Sequence, residues 1–124
     1  PHITALTRAF NYVSYWITSS ILTAFNSTPH TPGSAAANEA GVKELIRALK
    51  DTVRMAEHAY RLRSFNTLAE IIAGISHCAV ERLPRQVWDG LDEPTRDSLA
   101  RLSNLCSPMQ NYARYRAFIN NFLR

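Results

Sequence analysis

The chain has 124 residues, 46% hydrophobic and 19% charged, a balance that fits one soluble globular domain over residues 1–124. No apolar run approaches the roughly 20 residues of a membrane span, and no basic segment followed by an apolar block marks a signal peptide. Basic residues exceed acidic ones by four, and all of them except Lys43 and Lys50 are arginine.

The arginines are scattered and lack a Gly-rich or aromatic RNA-binding signature. An acidic protein surface accounts for the excess as well as nucleic acid does, and we expect no nucleic-acid partner. The start at Pro1 suggests a piece of a longer protein. Cys78 and Cys106 sit in apolar helical patterns and read as buried free thiols, which fits a reducing, cytoplasmic setting. Asn26-Ser27-Thr28 matches a glycosylation sequon and, with no secretory signal, reads as a chance match.

In chain order, Ile3, Leu6, Phe10, Val13, Ile17 and Ile21 recur every three or four residues, predicting a first helix from Ile3 to about Ala24 with that stripe buried. Arg8, Asn11, Tyr12 and Tyr15 follow the same period on another face. Such a stripe is either a wet face with snorkelling aromatics or an interface, since Tyr and Arg are enriched at binding hot spots. Residues 26–38 are rich in Ser, Thr, Pro and Ala without periodicity, so they read as a mobile loop joining two helices of one domain.

Asn38 is the expected cap of the next helix, which runs to about Leu62. Val42, Leu45, Ile46, Leu49, Val53, Ala56 and Tyr60 form its buried stripe, and Arg47 with Asp51 is a candidate surface ion pair. His58 has no second ligand at metal spacing and reads as a surface or capping residue. Ser64 then caps a helix through Phe65–Ile75 that is expected to run on to Arg82-Leu83 before Pro84. Leu68, Ile71, Ile72 and Ile75 make its apolar face. Ala69, Ala73 and Gly74 keep it slim enough for a neighbouring backbone to come close, so it should be the most buried helix.

After Trp88, Asp92-Glu93-Pro94 is a strong helix start, and Leu99, Leu102, Leu105 and Cys106 point inward from the fourth helix. Ser107-Pro108 opens the last helix, with Tyr112, Tyr115, Ile119 and Phe122 as its apolar stripe and Phe118 beside it. Nothing reads as a strand. The expectation is an all-α orthogonal bundle of about five helices.

Chemistry has little to stand on. The four glycines are isolated, no Cys or His pair has metal spacing, no Ser sits in a nucleophile elbow, and His77 and Cys78 are neighbours that do not share a helix face. We expect no catalytic residues, no metal and no cofactor.

Three blocks nevertheless form a pattern: Phe10-Asn11-Tyr12-Val13-Ser14-Tyr15-Trp16-Ile17; Phe65-Asn66 followed by Ile75-Ser76, Val80-Glu81-Arg82-Leu83 and Trp88; and Asn111-Tyr112-Ala113-Arg114-Tyr115-Arg116. In this order they resemble the catalytic domain of Ras-type guanine nucleotide exchange factors, the RasGEF domain, over almost the whole chain. Ser64 stands where that family usually has Asn, an extra residue separates Leu83 from Trp88, and the 26–38 loop is longer. The family's domain is roughly twice this length, with opening helices and a later helical hairpin that pries open the nucleotide site, so the 124 residues are expected to be inactive alone.

The resemblance implies exchange without covalent chemistry: a Ras-family small GTPase is bound best in its nucleotide-free state, which accelerates GDP release. It places GTPase-contacting positions at Arg8, Asn11, Ala69, Ser76, Ser103 and Asn111. The alternative is a noncatalytic helical interaction module on the same scaffold. Recruitment to a membrane would come through other parts of the full-length protein. The aromatic last helix, through Tyr115, Phe118 and Phe122, makes self-association through exposed apolar surface an expectation as well.

Overall fold

The structure, a computed structural model, describes residues 1–27 and 33–124. Among these residues helices account for 84% and no strand occurs. They are α1 (His2–Thr23) with a 3-10 turn (Ala24–Ser27), α2 (Ala35–Arg61), α3 (Phe65–Ile75), α4 (Cys78–Glu81), α5 (Arg85–Asp89), α6 (Glu93–Leu105) and α7 (Met109–Phe122). Of the expected 26–38 loop, residues 28–32 lie outside the described residues; Asn26 and Ser27 belong to the 3-10 turn, and α2 already begins at Ala35, so the loop is shorter than expected. No described helix is long and apolar enough to cross a membrane.

The long α2 is the spine, packing on α1, α3, α5 and α6. Its Leu45, Leu49, Val53 and Ala56 are buried as the periodicity predicts. The helix starts earlier than expected: Ser34, not Asn38, is the N-cap, and its hydroxyl accepts from the Ala37 N–H at 3.0 Å. A Ser ahead of three alanines caps a strongly helix-forming run, so Asn38 falls inside the first turns. The expected Arg47–Asp51 pair is replaced by Arg54 Nη1–Asp51 Oδ1 at 3.7 Å, one turn further on. At its end, Arg63 turns left-handed (φ 59°) and Ser64 N–H reaches back to Ala59 O at 2.9 Å, a Schellman-type stop.

α3 is short but deeply set, with Leu68, Glu70, Ile71, Ile72, Gly74 and Ile75 buried. Its small residues do admit a neighbour. A methyl at Gly74 would stand 2.7 Å from Ile17 Cβ and 2.7 Å from Ser14 O, and Thr18 Oγ1 donates to Gly74 O at 2.8 Å. α1 therefore crosses α3 backbone to side chain, and that crossing defines the core.

The expected continuous helix to Leu83 is broken. α3 stops at Ile75 with Ser76 as C-cap, and His77 starts α4 by accepting the Ala79 N–H at its Nδ1, 3.1 Å away. An imidazole that can cap a new helix competes with helix continuation at that point. Cys78 is consequently exposed rather than buried, while Cys106 is half-buried; both are free thiols.

Two further expectations fail at the ends of the bundle. Ile3 (81% exposed) and Leu6 (71% exposed) continue the α1 stripe but lie beyond what the other helices cover; burial begins at Phe10 and is complete only at Ile17 and Ile21. In α7 no residue is buried, and Tyr112 and Phe122 are exposed. Phe118 is only half-buried and stacks on Tyr60 at 5.6 Å and meets Phe65 edge-on at 5.0 Å, a peripheral aromatic cluster rather than a core stripe.

Candidate functional site

α3 carries a second face beside its apolar one. Asn66, Ala69, Ala73 and Ser76 recur every three or four residues and form one wall of an open groove of about 630 Å3. The opposite wall comes from the α6–α7 junction: Ser103 and Cys106 near the end of α6, Ser107 and Pro108 in the turn, and Asn111, Tyr112, Tyr115 and Arg116 of α7. Phe10 of α1 and Ile72 complete the lining.

The α6–α7 junction exists because Cys106 ends α6 and Pro108 cannot continue it. Directly after it, Gln110, Asn111 and Tyr112 take left-handed backbone angles (φ 53°, 54° and 57°) before α7 turns right-handed. Each such non-glycine residue costs about 1–2 kcal/mol, so the groove's outer lip is backbone held in an unfavourable form. Arg116 Nη2 donates to the Gln110 carbonyl at 3.3 Å, and the Arg114 guanidinium bonds Asn104 Oδ1 across the junction.

Electrically the groove is quiet. Burial pushes the Cys106 thiol up to about 11, and the Tyr115 hydroxyl is raised by burial first and by Cys106 second. Both stay neutral at pH 7, and Arg116 is the single charged side chain in the described lining. Small residues on one wall, hydroxyls and amides on the other, and an apolar floor give the groove a mixed apolar and hydrogen-bonding surface.

Of the six positions expected to contact a GTPase, Ala69, Ser76, Ser103 and Asn111 meet in this groove from three helices, although they span residues 69 to 111. Arg8 and Asn11 do not line it. They are exposed on α1, the helix that contributes Phe10 to the groove. Sequence reasoning missed Asn66 and Ala73, although they lie one helical turn from Ala69 on the same face. It placed Phe10 in the core stripe, whereas Phe10 is half-buried and lines the groove. Nothing in the sequence signalled the left-handed turn that sets Asn111 and Tyr112 on the lip.

The RasGEF domain sequence model matches residues 1–123. The chain is similar to Ras guanine nucleotide exchange factor M of Dictyostelium discoideum, 32% identical over 118 residues, covering 94% of this chain and 11% of that protein. It is similar to RAS guanyl-releasing protein 2-B of Xenopus laevis, 32% identical over 107 residues, covering 86% of this chain and 15% of the relative. Ral guanine nucleotide dissociation stimulator-like 2 of Homo sapiens is 31% identical over 122 residues, covering 96% of this chain and 15% of its own length. The chain thus spans only a small part of the curated relatives it matches. The three sequence blocks, the all-helical fold and a match running from the first residue to the last but one converge, and the chain belongs to the RasGEF domain family.

Proposed function

We propose that this chain binds a Ras-family small GTPase through the α3–α6–α7 groove and the adjoining exposed face of α1, and that the protein promotes GDP release by favouring the nucleotide-free GTPase. The observation that carries this reading is the convergence of Ala69, Ser76, Ser103 and Asn111 in one groove from three helices. A groove with no metal-ligand cluster among the described residues and one charged side chain suits recognition without covalent chemistry. Release then follows from differential affinity. A partner that held both GTPase states equally would shift no equilibrium, however tightly it bound.

The test is release of fluorescent GDP from Ras, Rap and Ral GTPases by the full-length protein, with binding to each nucleotide-free GTPase measured in parallel. The reading expects faster release from at least one of them. Arg8→Glu should weaken that binding while changing stability by no more than about 0.5 kcal/mol, because the residue is exposed. Binding without release would leave the noncatalytic interaction module; neither binding nor release would overturn the proposal.

A further inference from the structure

Beside the groove lies a buried carboxylate that the reading above does not use. Glu70 of α3 is 8% exposed, and among the described residues no cation pairs with it. A carboxylate withdrawn from water without a cation is costly unless it is hydrogen-bonded. Its bond is to a groove residue: Asn66 Nδ2 donates to Glu70 Oε1 at 2.9 Å, one helical turn away.

That bond fixes a direction. A carboxylate only accepts, so the NH2 end of the Asn66 amide must face Glu70. One N–H is committed, and the amide's Oδ1 and second N–H remain for a groove occupant; no described residue bonds Oδ1. The serine hydroxyls of the lining rotate to suit any partner and impose no such order. An acceptor beside a donor in one plane complements a peptide group or another carboxamide.

We infer that Asn66 is a binding residue of the groove that hydrogen-bonds a peptide group or carboxamide of the GTPase, and that Glu70 is the positioning residue that fixes its orientation. This rests on the proposed GTPase reading. An occupant that covered Asn66 without answering its amide would leave a desolvated polar group and bind more weakly.

The exchange N66D/E70Q tests it in the full-length protein. It keeps a hydrogen bond across the turn with donor and acceptor reversed, and so presents a carboxylate to the groove in place of the amide. Its unfolding midpoint should stay within about 2 °C of the parent, while the Kd for nucleotide-free Ras, Rap or Ral, whichever the parent binds best, rises by at least about tenfold. Wild-type protein supplies a second readout that does not depend on any variant folding: with 15N-labelled asparagine, the Asn66 side-chain NH2 resonances should shift when that GTPase is added.

Parent-like affinity in the exchanged variant, or Asn66 resonances that do not move, overturns the inference. Ala73→Glu, which places a charge in the same wall, separates the two failures. If the parent binds and Ala73→Glu abolishes binding while the exchanged variant still binds, this inference alone fails. If the parent binds none of the three GTPases, the functional reading fails with it.

Discussion

α3 and α7 have similar lengths, eleven and fourteen residues, and both carry apolar residues at helical spacing, yet α3 buries six residues and α7 none. The difference lies in what surrounds them. α3 is wedged between α1 and α2, so its apolar face and its Gly74 edge both find neighbours, whereas α7 packs chiefly on α6. Amphipathicity says which side of a helix turns inward; the number of surrounding helices says how far it goes in.

The largest effect expected from this contrast is at the centre of α3. Leu68 is fully buried, and Leu68→Ala should cost about 3 kcal/mol in a denaturant titration, the transfer loss plus a cavity that the neighbours fill poorly. Gly74→Ala comes next, at about 2 kcal/mol, because the added methyl meets Ile17 Cβ and the Ser14 carbonyl at 2.7 Å and the backbone has to give. Phe118→Ala on α7 should cost only about 1 kcal/mol, the value of aromatic contacts at the edge of the bundle. If it cost as much as Leu68→Ala, the contrast between the two helices would be wrong.

The smallest effect sharpens the same contrast through the thiols. Cys78 is exposed just past α3, whereas Cys106, half-buried in the groove wall, keeps its proton to about 11. A thiol reagent at pH 8 should modify Cys78 well before Cys106, as mass spectrometry of the digested protein would show. The linkage has a definite sign. Between the ordinary thiol value of 9.0 and about 11 the folded chain holds a proton that the unfolded chain has released, so Cys106 makes stability fall as pH rises through that window. Cys106→Ala should flatten that part of the profile.

The central fold was legible because Leu68, Ile71, Ile72 and Ile75, and Leu45, Leu49 and Val53, repeat at a period that only a helix satisfies. What escaped were competitions settled by local bonds or by distance from the bundle. His77 interrupts α3 because its ring caps a new turn, and Ser34 outcompetes Asn38 because alanines follow it. Ile3 and Leu6 keep the α1 period yet face no neighbour, a fact that periodicity does not encode. In the groove, the lining residues Ala69, Ser76, Ser103 and Asn111 are named through family resemblance alone. Asn66 was open to simple helical geometry, and its bond to Glu70 sits at an i,i+4 spacing visible in the sequence.

The close crossing at Gly74 makes α1 a lever. Its fulcrum is where Ile17 and Ser14 rest on α3, pinned by the Thr18 hydroxyl, and the arm toward Arg8 has lost most of its support by Leu6. Nine residues of helix from Ile17 to Arg8 make an arm of about 13 Å, so a tilt of about 10° at the fulcrum swings Arg8 by roughly 2 Å. That displacement is enough to make or break a hydrogen bond at the tip. A methyl added at Gly74 would therefore displace a side chain about two helical turns beyond the contact.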